Sequence, residues 1–247
     1  MFANYFNDMN FTRRLFATIL LTISFICIYT SSYSQTDHSI GNWNTIFLSG
    51  KISPKWSLFL ENHIRSRNYD FKFDYFEIKT GIGYSINRNL TGYIGTGFFN
   101  TDEPGGFFQT PALQKEFRSW IELNLKQNFN RFNFEHRARL EQRFIGDSYK
   151  NRLKYRLGLI LPINKSEMDS GTIFLAVNDE LFIPQYGSPV VEKNRLYIGV
   201  GYKMNKNAAI QIGCVSDTDY KLNSHSIKNY LQLMFVYNFT NLYKKHT

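Results

Sequence analysis

The chain has 247 residues and a formal net charge of +9, long enough for one all-β domain and basic enough to raise a nucleic-acid reading. That reading fails on pattern, because there is no zinc-ligand spacing, no helix-turn-helix rhythm and no Lys/Arg block, and the cations alternate with Phe and Tyr. Aromatics at 17% and only 6 prolines suit many strands, and the lack of any 18-residue apolar run beyond the first 34 residues excludes transmembrane helices.

In chain order, Arg13 and Arg14 precede an apolar run over 15–29, then Ser32, Tyr33 and Ser34 stand before Gln35. This is a basic region, a hydrophobic region and a small-x-small cleavage site, so residues 1–34 are expected to be a secretory signal. The run is short of the ~20 residues a membrane anchor needs. Cys214 is then the only cysteine left, and no intrachain disulfide is expected. Residues 35–52 form an N-terminal segment, 53–239 carry the strands and 240–247 a tail.

Residues 41–51 are a possible first strand, followed by a turn at 52–54. From 56 to 67, Trp56, Leu58, Leu60 and Ile64 alternate with Glu61, His63 and Arg65. From 75 to 86, Phe76, Ile78, Ile82 and Tyr84 alternate with Glu77, Lys79, Gly81 and Gly83. A Gly-rich strand over 90–100 leads to a loop over 101–114 that contains Pro104, Gly105, Gly106 and Pro111. Residues 116–129 set Glu116, Arg118, Trp120, Glu122 and Lys126 against Phe117, Ile121, Leu123, Leu125 and Phe129. The clearest stretch is 132–144. One face there reads Asn133, Glu135, Arg137, Arg139, Glu141 and Arg143, and the other Phe132, Phe134, His136, Ala138, Leu140, Gln142 and Phe144. Successive strand side chains point to opposite faces, so one wall is charged and the other apolar. The rhythm continues with Arg152, Lys154 and Arg156 against Leu153, Tyr155 and Leu157, and with Glu180 in 171–183. It ends with Arg195 in 195–204, a weaker strand at 208–217 and a last strand at 228–239.

Ten or eleven strands joined alternately by short turns and longer loops predict an all-β fold, an antiparallel up-and-down transmembrane β-barrel with a polar, charged lumen. About ten strands (8–12) are expected, because an even number returns both ends to one side. Residues 42–50 are then surplus, tucked against or into the barrel. A soluble barrel would invert the same pattern. Lipid outside is favoured by aromatics at strand ends and by glycines at mid-strand on the polar face, which suit a crowded lumen.

Leu233, Phe235, Tyr237 and Phe239 at alternate positions are similar to the C-terminal strand read by the outer-membrane assembly machinery, although eight residues follow Phe239. The order of Trp56 with Glu61 and Arg65, Arg118-Ser119-Trp120, Arg137-Ala138-Arg139-Leu140-Glu141-Gln142-Arg143-Phe144, Asn151-Arg152-Leu153-Lys154-Tyr155-Arg156, Glu180-Leu181-Phe182 and Asn194-Arg195-Leu196-Tyr197-Ile198-Gly199 carries a second resemblance. Over residues 41–239 the chain resembles the domain-of-unknown-function 2490 family of bacterial outer-membrane β-barrel proteins. The resemblance implies an outer-membrane barrel and no particular activity.

The charged wall is the candidate site: a lumen-lining network of Arg118, Glu122, Lys126, Glu135, Arg137, Arg139, Glu141, Arg143, Arg152, Lys154, Arg156, Glu180 and Arg195. Unpaired charges in a narrow lumen are costly, so Arg–carboxylate bridges between strands are expected. They would either plug and rigidify the barrel or, through the basic excess, favour small anionic solutes in a porin-like role. Wide aqueous channels need ~16 strands. The alternative is an outer-membrane lipid-modifying hydrolase using His136 with Ser119 on the neighbouring strand. No other catalytic, cofactor or metal site is read: no cluster has metal-ligand spacing, and Gly95-Thr96-Gly97 lacks the lysine and helix of a phosphate loop. The expected partners are outer-membrane lipid, the barrel assembly machinery and small anionic solutes, with no nucleic acid.

Overall fold

A two-residue rhythm sustained over consecutive segments leaves the backbone one economical way to satisfy its N–H and C=O groups, a sheet in which every segment is a strand. The computed structural model describes residues 34–69, 72–103, 106, 112–187 and 189–239. The expected signal through Tyr33, the tail at 240–247 and most of the 104–111 loop lie outside the described residues. The strands are β1 (Ser34–Lys51), β2 (Trp56–Ser66), β3 (Tyr75–Ser85), β4 (Leu90–Thr101), β5 (Gln114–Phe129), β6 (Phe132–Ile145), β7 (Ser148–Pro162), β8 (Ile173–Pro184), β9 (Lys193–Lys203), β10 (Ala208–Lys221) and β11 (Ser224–Phe239).

Each strand pairs antiparallel with the next, and β1 lies beside β11, which closes the barrel. The closing seam is parallel. Both strands are odd-numbered in an up-and-down order, and their contacts advance together: Gln232 Nε2 donates to Thr45 Oγ1 at 2.9 Å and Ser49 Oγ donates to Asn238 Oδ1. Eleven strands therefore stand where ten were expected. Residues 42–50 are not surplus: they belong to β1, in register with β2 from Asn42↔Ser66 to Lys51↔Ser57. The even-number argument assumed antiparallel pairing at every seam.

Connections at 52–55, 86–89, 130–131, 163–172 and 204–207 share one rim, mostly tight turns; those at 67–74, 102–113, 146–147, 185–192 and 222–223 share the other. Asn130 carries a positive φ of 53° in the two-residue β5–β6 turn, a conformation that Asn tolerates better than most residues. The wall is apolar outside and charged inside. Leu123 and Leu140 are 52% and 45% exposed, whereas Arg139 and Glu141 are 5% and 1% exposed. On β8–β11 and β1 the inner face also carries a buried cluster that includes Trp43, Phe174, Tyr197, Val215 and Tyr230.

Aromatic side chains mark both rims. Phe98, Phe117, Phe144 and Tyr149 stand side by side across β4–β7, with ring centroids 5.2, 5.9 and 5.2 Å apart. Near the turn rim, Trp56 meets Tyr84 at 4.9 Å and Tyr237 meets Phe239 at 4.7 Å.

Inward glycines make room for large rings to lie against the sheet. A Cβ on Gly95 would fall 2.5 Å from the Trp120 indole, while one on the outward Gly92 meets nothing nearer than 3.8 Å. Gly95→Ala should therefore destabilise the barrel by about 1–3 kcal/mol through overpacking, with Gly92→Ala near neutral, as measured by urea unfolding of protein refolded in lipid vesicles.

Candidate functional site: a paired charge belt in the lumen

The ladder register brings the inward charges together. Directly opposed residues that are also ion pairs include Glu61↔Lys79, Glu122↔Arg139, Glu141↔Arg152 and Arg195↔Asp217. Their shortest contacts are 3.1, 2.6, 2.6 and 2.6 Å. A one-residue slip of any of these strands would turn its charges onto the apolar face, so charge and hydrophobicity specify the same register.

Elsewhere the register opposes like charges, which is destabilising unless a carboxylate intervenes. Arg118 lies opposite Arg143, and Glu116 binds both guanidinium groups, at 2.7 and 2.5 Å. Arg137 lies opposite Arg156; Arg137 reaches Glu180 at 2.5 Å and Arg156 pairs with Glu135. Arg139 lies opposite Lys154, with Glu141 between them at 3.4 and 3.6 Å. Cations and carboxylates in the ion pairs are nearly matched in number, so the basic excess seen in the Arg-rich centre is largely neutralised by partners on other strands.

Aromatic rings support the guanidinium groups. Arg65 lies 3.6 Å from the Tyr75 ring and 4.3 Å from Trp43; Arg195 lies 4.6 Å from Trp43 and 5.2 Å from Phe182, which Arg152 also covers at 4.9 Å. This alternation of ring and cation spans β3, β2, β1, β9, β8 and β7 across the lumen. Each stack contributes about 0.5–2 kcal/mol when desolvated.

Around His63 the network is densest. The Trp43 indole N–H donates to Nδ1 at 2.7 Å; because an indole only donates, the ring proton sits on Nε2, 2.6 Å from Glu61. The Lys79 ammonium lies 2.7 Å from Glu77, 3.1 Å from Glu61 and 3.1 Å from His63 Nε2, filling the space between them. Among the described residues no group of His, Cys, Asp and Glu side chains could hold a metal ion. Beside the strands, burial raises the Asp74 carboxyl above its ordinary range, and Arg67 at 3.5 Å opposes the shift.

Two cavities flank the belt. One of about 1060 Å³ opens towards the turn rim and one of about 640 Å³ towards the loop rim. The residues common to both are Glu61, Arg137, Arg139, Arg156, Asn178 and Met234, which form a waist between them.

All thirteen residues named from sequence belong to strands of this wall. Lys126 makes no ion pair among the described residues, and the other twelve do. Among the residues that join the network and were not named as site residues are Glu77, Lys79, Glu116, Glu192 and Asp217. A count of inward positions on every strand, rather than attention to the Arg-rich centre, would have found the four that lie on strands. The His136–Ser119 pair is not formed. Ser119 faces Gln142 and donates to it at 3.0 Å, while His136 faces Leu125, six residues or ~20 Å along the strand. Its nitrogens meet Tyr155 and Gln127 instead, at 2.8 and 3.2 Å.

A family described as a protein of unknown function (DUF2490) matches residues 40–228. The chain belongs to this family. No curated protein matches the sequence. LpxR from Salmonella typhimurium, a solved structure, aligns with a TM-score of 0.43 and 8% sequence identity over 78% of this chain and 87% of that one. At that level of likeness nothing is carried over from it to this member of the DUF2490 family.

Removing one partner from a buried ion-paired group strands the others. Glu141→Gln should cost about 3–5 kcal/mol, whereas Glu192→Gln, whose side chain is 30% exposed, should cost about 1 kcal/mol or less. Urea titration in vesicles, followed by tryptophan fluorescence, compares the two.

Proposed function

We propose that this protein is an exported, integral outer-membrane β-barrel whose lumen is closed at mid-height by the paired charge belt, a structural or solute-binding barrel and not a general porin. The observation that carries this reading is the geometry of the outer wall. Exposed Phe117 and Phe129 on β5, and exposed Phe132 and Phe144 on β6, are each twelve residues apart. Twelve residues span ~40 Å along a strand, or ~30 Å across a bilayer at the usual barrel tilt, which matches a hydrocarbon core between two aromatic girdles.

Polar side chains on that wall fold back onto the sheet, as a surface without water demands. Thr80 donates to the Phe59 carbonyl at 2.8 Å, Thr96 to the Arg118 carbonyl at 3.0 Å and Asn62 to the Glu77 carbonyl at 3.0 Å. Among the described residues the outer wall carries a charge at Asp179, to which Asn194 donates at 2.6 Å, and at Lys115, at the loop-rim end of β5. By the usual orientation of such barrels, the tight-turn rim faces the periplasm. The alternating aromatics up to Phe239 supply the handle for the assembly machinery, and outer-membrane lipid is the surrounding partner.

The wild-type protein should sediment with the outer membrane after export and give no steady conductance in planar bilayers. Replacing Arg137 and Glu180 together by Ala removes a neutral pair from the belt and should produce stepwise conductance. Ohmic current through the wild type would overturn the closed lumen; recovery in the soluble periplasmic fraction would overturn the membrane placement.

A further inference from the structure

The belt accounts for its own charges, but the turn rim does not. Lys51, Lys55, Arg88, Lys126 and Lys206 all line the 1060 Å³ cavity. Lys51, Lys55, Arg88 and Lys206 are exposed and make no ion pair with any described residue. Lys126 stands opposite Glu135, a carboxylate already taken by Arg156.

These five cations occupy one continuous arc, because hydrogen bonds tie their turns together. The Asn238 N–H donates to the Asn207 carbonyl at 2.8 Å, joining the Lys206 turn to β11, and Ser49 joins β11 to β1 and hence to Lys51. The Ser85 N–H donates to the Lys55 carbonyl at 2.8 Å, and the Lys126 N–H to the Asn89 carbonyl at 2.8 Å, which brings in Arg88. The sequence places no Asp or Glu in 204–207, 234–239, 49–55, 84–90 or 124–131; the acidic residues of this rim, Glu167 and Asp169, belong to the 163–172 connection, outside the arc. Deeper in the same cavity the Arg156 Nε–H is buried without an acceptor. By contrast, the cations that line the loop-rim cavity, Lys221 apart, are held in ion pairs with carboxylates.

A one-signed arc around a concave, low-dielectric mouth focuses positive potential into it. We propose that the turn-rim vestibule binds a multiply charged oxyanion of the phosphate class, held by Lys51, Lys55, Arg88 and Lys206 at the mouth with Lys126 and Arg156 behind them. The volume suits a solute carrying several such groups. Lysine ammonium groups meet phosphate oxygens as adaptable point charges, and the two arginines add directional forks. The same chemistry would accept either a soluble oligophosphate or the phosphate of an anionic lipid headgroup from the adjoining leaflet. This site does not depend on the closed lumen, since a conducting barrel would keep the same mouth.

The test is calorimetric titration of tripolyphosphate into the full-length protein, first in uncharged detergent, then in phosphatidylcholine nanodiscs with and without phosphatidylglycerol. Saturable binding is expected, weakening as salt is raised because the contacts are exposed. Replacing Lys51, Lys55, Arg88 and Lys206 together by Gln should lower the affinity by about tenfold or more. Lys115→Gln with Lys150→Gln, on the opposite rim, should leave it unchanged. Loss of tripolyphosphate binding only in phosphatidylglycerol discs assigns the site to a headgroup; persistence assigns it to a soluble ligand. Absence of saturable binding in detergent, or equal affinity in the fourfold variant, overturns the proposal. All the substituted side chains are exposed, and heat-modifiable gel mobility checks that each variant is folded.

Discussion

A charged side chain that points into a narrow barrel has to find its counter-ion on the same wall or across the lumen, because little water is there to solvate it. Nearly everything inside this molecule follows from that constraint. Where the register opposes unlike charges they pair directly; where it opposes like charges, a carboxylate from a neighbouring position sits between them. Glu116 under Arg118 and Arg143, and Glu141 among Arg139, Arg152 and Lys154, are the two joints that let so many guanidinium groups share one face. Rings that flank Arg65, Arg195 and Arg152 complete the belt.

The same constraint shapes the outer wall. With the ion pairs of the strands turned inwards, the outside is free to be Leu, Ile and Phe, and its few hydroxyl and amide groups bond mostly to nearby carbonyls. The glycines are the steric counterpart of the charges. Gly95 beneath Trp120 and Gly201 beneath Phe174 admit rings into a lumen that could not hold them over a Cβ. Packing and electrostatics therefore select the same inside-out arrangement.

Much of this was legible in the sequence. Residues 132–144 separate arginine from phenylalanine at period two, which fixes the strand and its two faces, and aromatic residues at both ends foretell the girdles. The partners of those arginines were harder to read. Glu122 and Glu141 are on the next strand or two residues away, so they could be named. Glu180 reaches Arg137 from two strands off, and Asp217 reaches towards Arg65 across the closing seam; no local pattern encodes such contacts. The first strand was misjudged because alternation alone cannot reveal a parallel neighbour, and the proximity of Ser119 to His136 failed because it depended on a register that Gln142 and Leu125 actually satisfy.

The parallel seam carries a consequence for how the molecule comes into being. Ser49 and Asn238, which touch across it, are 189 positions apart, whereas every other neighbouring pair of strands is tied by its own local connection. Hairpins can form one after another from nearby segments, but the ring cannot be completed until the last segment has been delivered to the first. By loop-closure entropy this union carries the largest ordering cost of any strand pairing in the ring, and until it happens the half-built sheet has two unsatisfied edges, open to pairing with another chain.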